Sequence, residues 1–349
     1  MIDDGSIDTL ERPVRGKQRN EQQADLNRDA VDAEWEERQT ETEGSREEGE
    51  QTRQSGFHRL RALMQVAGGN ARNHIHSFRV ILSNRRKRKH IAIPDLPSIL
   101  KPQNVAALLI ALCGVAMVFL DHSSPIWARR LPDAYHSVFD VVTDAGKSDW
   151  VLIPTGLWIL AVIFRDWQAN SFRRKMIMSS LSVYASFLFF VVAASGLLAI
   201  ALKWNIGRAR PSLFDEMGPL AFEPFAWQAK LSSLPSGHST TAGALIVALA
   251  LLAPKYRWFI VVVGSWIAVS RIIVGAHYPS DVAAGLVVGG VFSYLSARWM
   301  ARRRLGFRYS SQGELLPTLT NVFSSGWLRA LSNTGNTRAA GVHHSSEVS

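Results

Sequence analysis

A chain of 349 residues with 47% hydrophobic residues, a formal charge of +10 and one cysteine has room for more than one domain and none for an intrachain disulfide. The charge is unevenly placed: residues 1–50 carry 16 Asp/Glu against 7 Lys/Arg, and residues 51–101 carry 11 Lys/Arg against Asp95 alone. The overall excess of cations therefore describes no single surface, and a nucleic-acid partner, which calls for a basic stripe and a binding motif on a soluble fold, is excluded as its explanation.

Residues 1–56 are rich in Glu, Gln, Arg and Asp, with Trp35 as the only aromatic. Such a segment buries too little apolar surface to offset ordering entropy, so disorder is expected. The N-terminus is acidic and the first long apolar run starts only near Val105, so no cleavable leader is expected. Residues 57–100 form a basic juxtamembrane segment. Within it, 57–82 alternates basic and apolar residues around Gly68-Gly69, which predicts two amphipathic helices on a membrane surface with a break at the glycines. His74 and His76 belong to that interface, because no third metal ligand lies near. The run Arg85 to Lys89 sits just before a span and reads first as a topology signal, with anionic lipid as a second role.

Six apolar stretches follow: 105–120, 151–164, 176–202, 239–253, 258–276 and 282–299. They predict an all-α, polytopic membrane domain with six transmembrane helices over 101–305, followed by an unstructured tail at 306–349. Cys113 lies inside the first run and reads as a small core or lipid-facing residue. The connections 165–175 and 254–257 are basic, whereas 121–149 has three basic residues against five Asp. By the positive-inside rule both termini are cytoplasmic, in a bacterial-type inner membrane. Three charged clusters then fall on the outer side, where the rule disfavours cations.

Those clusters are Lys203 with Arg210-Pro211, Pro235-Ser236-Gly237-His238, and Ser270-Arg271 through His277 to Asp281. An Arg or Asp at the centre of a span costs about 2.5–3.5 kcal/mol, so ionisable groups there are read as functional. Together they suit one phosphate-handling site. Arg210 and Arg271 can each grip two phosphate oxygens, and Lys203 adds a point charge. Pro211 stops a helix and lets the Arg210 guanidinium turn back. Ser236 and Gly237, just before a helix, offer donors to an anion, although an ordinary N-cap explains them as well. His238 is placed to protonate a leaving oxygen. His277 is the best nucleophile, with Asp281 orienting its ring, and Asp281 also complements the dipole of the helix that Pro279 opens. Three cations against one carboxylate favour a metal-free clamp over a two-metal site.

The patterns K-x6-RP, PSGH and SR-x5-H-x3-D match at eleven specified positions and in this order. The chain thereby resembles the type 2 phosphatidic acid phosphatase (lipid phosphate phosphatase) superfamily, in its integral-membrane branch. The resemblance implies that His277 forms a phosphohistidine, that Asp281 orients it and that His238 is the general acid. It implies phosphate binding by Lys203, Arg210, Ser236, Gly237 and Arg271, with no metal or other cofactor. The expected function is hydrolysis of a lipid phosphate or diphosphate at the outer face. Phosphatidic acid, phosphatidylglycerophosphate, undecaprenyl diphosphate and a lipid A phosphate are the candidate substrates. A lipid phosphotransferase using the same intermediate is the alternative, and a non-enzymatic transporter or scaffold a remote one. The outer loop 212–230 reads as a segment resting on the bilayer, or as a gate that selects the head group. Oligomeric state is open.

Overall fold

A computed structural model of the chain describes residues 35, 38, 53, 56–59, 61–80, 83, 94–165 and 172–318. The expectations for most of 1–56 and for the tail beyond 318 lie outside the described residues. Residues 61–80 are helical throughout, Gly68 and Gly69 included, where the sequence predicts a break. Asn70 Nδ2 donates to the Phe164 carbonyl at 3.3 Å, and His74 Nε2 lies 3.3 Å from the Arg165 carbonyl.

Among the described residues, the other helices of seven residues or more are α1 (Pro102–Phe119), α2 (Ser123–Arg129), α3 (Asp133–Asp144), α4 (Asp149–Phe164), α5 (Phe172–Ile206), α6 (Gly237–Leu252), α7 (Arg257–Ile273) and α8 (Pro279–Arg302). Among the described residues, five stretches are long and apolar enough to cross a membrane: Pro102–Phe119, Asp133–Phe164, Arg174–Ile206, Pro254–Ile273 and Pro279–Arg302. The predicted fourth span is the shorter apolar helix Gly237–Leu252; its 16 residues, at ~1.5 Å each, reach about 24 Å. Their outward faces carry large apolar side chains, among them Ile110, Val118, Phe259 and Val262, as a lipid-facing surface requires. The segment 121–149, expected as a loop, is instead mostly the two helices α2 and α3.

The most extensive helix pair is α6 with α8. Small residues allow it: a Cβ on Gly285 would stand 2.6 Å from the Ser236 carbonyl oxygen. That close approach places the start of α6 directly on the first turns of α8. At the opposite end of the bundle, strands β1 (Phe307–Tyr309) and β2 (Leu315–Pro317) form an antiparallel hairpin, with Phe307 opposite Pro317. The tail was expected to be unstructured from 306. Phe307 ties its first residues down, because its fully buried ring packs edge-on against Tyr184 and Phe187. The Tyr184 hydroxyl adds a bond to the Gly306 carbonyl at 2.9 Å. Nearby, buried Arg298 donates to the carbonyls of Asp95 and Pro94, closing the same end.

Candidate active site

All three charged clusters meet at the end of the bundle where α5 and α7 finish and α6 and α8 begin. Lys203 lies in the last turn of α5, which runs on to Ile206. The chain then turns at Gly207 (φ +66), where a Cβ would fall 1.7 Å from the Glu223 carbonyl oxygen. Only glycine fits there, and the returning loop is stitched onto Arg208–Arg210. Ala209 N donates to Ala221 O at 3.0 Å, Arg210 N to Lys230 O at 2.9 Å, and Ser233 N to Arg208 O at 3.0 Å. The loop 212–230 thus builds the wall of the site. It also turns Leu220, Phe225 and Trp227 outward, and Trp227 stacks on Trp204.

Ser236 caps α6: its hydroxyl accepts from Ser239 N at 3.4 Å and from Ser239 Oγ at 2.9 Å. The N-cap role is therefore real, and Ser236 keeps its own proton for another acceptor. Its backbone N–H donates to the Asp281 carbonyl at 3.0 Å, pinning the second cluster to the third. The Lys203 ammonium lies 3.7 Å from where a Gly237 Cβ would be, so the first cluster reaches the start of α6 as well. His238 is covered by the turn after α3, since a Cβ on Gly146 would approach its Cβ and Cδ2 to 3.2 Å. The cationic side chains of Arg271 and Lys203 lie within electrostatic reach of His238, as does the His277 ring.

Arg271, at the end of α7, donates from Nη1 to Thr143 Oγ1 at 2.9 Å. Among the described residues, the buried Nε atoms of Arg210 and Arg271 have no hydrogen-bond partner. A buried N–H without an acceptor is costly, about 1–3 kcal/mol, and two of them on guanidinium groups suit a site that receives an anion.

His277 sits between α7 and α8 and is almost fully buried. Pro279 occupies the first turn of α8 and Asp281 its third position, as the spacing predicts. Asp281 Oδ2 accepts from the Tyr278 N–H at 3.0 Å, the reciprocal half of an N-terminal cap. Its distance to His277 Nδ1 is 3.6 Å, too long for a direct hydrogen bond. Burial pushes the His277 imidazole down to about 4, against the opposing pull of Asp281. Desolvation disfavours the cation, so the ring takes up its proton only well below the usual histidine range. Its NMR titration, assigned by comparison with His277→Ala, is expected to turn near pH 4; a midpoint near 6.5 would contradict the neutral ring.

Beneath Asp281 lies a network that the motif reading missed. Arg208 is fully buried and donates from Nη1 to Asp281 Oδ1 at 2.6 Å and to Ser280 Oγ at 2.5 Å. From Nη2 it donates to Asp121 Oδ2 and to the Pro219 carbonyl, both at 2.7 Å, and Nε adds a 3.2 Å bond to the same carbonyl. The guanidinium carbon lies 4.4 Å from the centre of the Tyr278 ring. Asp121, just beyond α1, also accepts from Ser280 N at 3.1 Å and from Ser280 Oγ at 2.5 Å. Two buried carboxylates thus share one cation and hold the end of α1 against the start of α8. Arg208→Ala strands both, and breaking such a buried pair costs about 3–5 kcal/mol. Chemical unfolding of the solubilised protein is expected to show a loss of that order; a near-zero change would mean that the carboxylates find other partners.

The family model described as the PAP2 superfamily matches residues 184–305. A lipid A 1-phosphatase of Rhizobium etli is 39% identical over 213 residues, which is 60% of this chain and 90% of that relative. A lipid A 1-phosphatase of Rhizobium johnstonii is 36% identical over 237 residues, 68% of this chain and 95% of that relative. A transmembrane PAP2 type phosphatidylglycerolphosphate phosphatase from Bacillus subtilis, known by its crystal structure, shares 20% identity with a TM-score of 0.40 over 57% of this chain and 95% of that one.

Proposed function

The chain belongs to the PAP2 superfamily, and from that premise we propose that this integral membrane phosphatase removes the 1-phosphate of lipid A through a phosphohistidine on His277. The observation that carries the reading is the convergence of unpaired buried donors on Arg210 and Arg271 with a neutral, buried imidazole held beside a carboxylate. Donors fixed in a desolvated site and aimed at developing charge are the usual source of large rate effects.

In this reading the phosphate is gripped by Lys203, Arg210 and Arg271, with Ser236 and the Gly237 N–H at the start of α6. His277 Nε2 attacks phosphorus in line, and His238 protonates the departing sugar oxygen. His238 then draws a proton from water, which releases phosphate from His277. Asp121 and Asp281 are both committed to Arg208, so the cations of the chain carry the charge of the phosphate and no metal is assigned a step. Among the described residues, no three His, Cys, Asp or Glu side chains converge as a ligand set. The lipid A assignment draws on the relatives, which this chain spans over 90% and 95% of their lengths. The site is assigned to the outer face of the inner membrane by the basic inner connections 165–175 and 254–257.

Purified protein offered lipid A 1-phosphate, phosphatidic acid, phosphatidylglycerophosphate and undecaprenyl diphosphate is expected to release phosphate fastest from the first, equally with and without EDTA. A preference for another lipid redirects the substrate assignment. Phosphate passed to an acceptor lipid instead of water makes the protein a phosphotransferase.

A further inference from the structure

His277 Nδ1 and Asp281 Oδ2 stand 3.6 Å apart, just beyond hydrogen-bond length. A third group contacts both. Ser233 Oγ donates to Asp281 Oδ2 at 2.5 Å and lies 3.3 Å from His277 Nδ1. Ser233 is fully buried and outside all three motifs, and its N–H is anchored on the Arg208 carbonyl at 3.0 Å.

Counting protons decides the direction of each bond. A hydroxyl has one proton and two lone pairs. The short contact to an ionised carboxylate claims that proton, because charge-assisted bonds are the stronger ones. Asp281 is kept ionised by Arg208 on Oδ1 and by the Tyr278 N–H on Oδ2. Ser233 Oγ can then meet the imidazole only as an acceptor, so Nδ1 must carry the ring proton. A neutral imidazole has a single N–H, which leaves Nε2 with a bare lone pair.

We infer that Ser233 is a positioning residue whose hydroxyl, bridging His277 and Asp281, sets the Nδ1–H tautomer and so frees Nε2 for attack. This rests on His277 being the nucleophile. In the transfer step the Nε2–P bond forms and the bond from phosphorus to the leaving oxygen breaks, its electron pair departing on that oxygen, which His238 protonates. The ring then bears phosphoryl on Nε2 and hydrogen on Nδ1 and is cationic. Ser233 accepts from that N–H while donating to Asp281, which relays the carboxylate's charge to the cation.

The test uses full-length protein labelled with ¹⁵N-histidine in lipid nanodiscs at about pH 7, with kinetics and alkaline-quench trapping on the same samples. Wild-type His277 is expected to show the Nδ1–H tautomer. Ser233→Ala should give a mixture of tautomers and lower kcat by about 10–100-fold, the scale typical of orienting partners one layer out, with KM little changed. Ser233→Thr, which keeps a hydroxyl, should recover the tautomer and most of the rate. A wild-type ring protonated on Nε2 overturns the inference, and so does a Ser233→Ala protein that keeps both kcat and a pure Nδ1–H tautomer. The wild-type spectrum decides even if neither variant folds. Wild-type protein that traps no phosphate on His277 removes the underlying nucleophile assignment; trapped phosphate with an Nε2–H resting ring removes the role of Ser233 alone.

Discussion

His277→Ala should be inactive on every substrate, lipid or soluble, because the proposed covalent intermediate cannot form without its imidazole. Removing the nucleophile from a covalent catalytic unit costs on the order of 10⁶ in kcat. The fold should survive the change. Asp281 keeps its bonds from Arg208, the Tyr278 N–H and Ser233, so no buried charge is left unpaired. Activity assays alongside a thermal melt check both halves. Residual turnover above about a thousandth of wild type, in a correctly folded variant, would mean that water attacks directly and that His277 only binds.

His238→Ala should show a loss that depends on the leaving group. In the proposed mechanism its task is proton donation to the departing oxygen, and general acid help is typically worth about 10²–10⁴-fold. A sugar or glycerol oxygen leaves poorly without a proton, so lipid monophosphates should suffer the full loss. An activated aryl phosphate needs little protonation, and its first step should recover most of the rate. Hydrolysis of the intermediate still needs a base for water, so the aryl ester should leave phosphate accumulated on the variant enzyme. The position of His238, at the first turn of α6 and covered by the turn at Gly146, suits a group whose proton exchange is protected. Equal losses on lipid and aryl substrates, with no accumulation, would assign His238 to binding.

The motif residues were legible because each breaks a local rule. Cations at helix ends and a proline-started helix after an imidazole stand out against apolar runs, and their spacing alone puts Asp281 one turn into α8. The helices of the bundle were legible as apolar runs, although the fourth run forms only the shorter helix Gly237–Leu252. What sequence did not show is partnership across the fold. Arg208 lies within the six unspecified residues between Lys203 and Arg210, and Asp121 is one of five Asp in a stretch read as an outer loop. Nothing in either position signals that 87 residues of chain close into a 2.7 Å contact. A charged residue at the exit of the first span was the available hint. Ser233 gave less, since one serine before a motif has no periodicity and its contacts to His277 and Asp281 arise only in the fold. The helices α2 and α3 were missed because they are short and amphipathic, and Phe307 because one aromatic beyond a basic run does not announce a buried slot.

The most direct measurement is acid-sensitive trapping of the intermediate. The protein is mixed with lipid substrate labelled with ³²P at the cleaved phosphate, quenched within the first turnover and digested. Labelled phosphate is expected on the peptide that contains His277, stable to alkali and lost in acid, absent from His277→Ala and increased in His238→Ala with an aryl phosphate. Label on any other residue, or a full burst of product with no label on the protein, would contradict a phosphohistidine at His277.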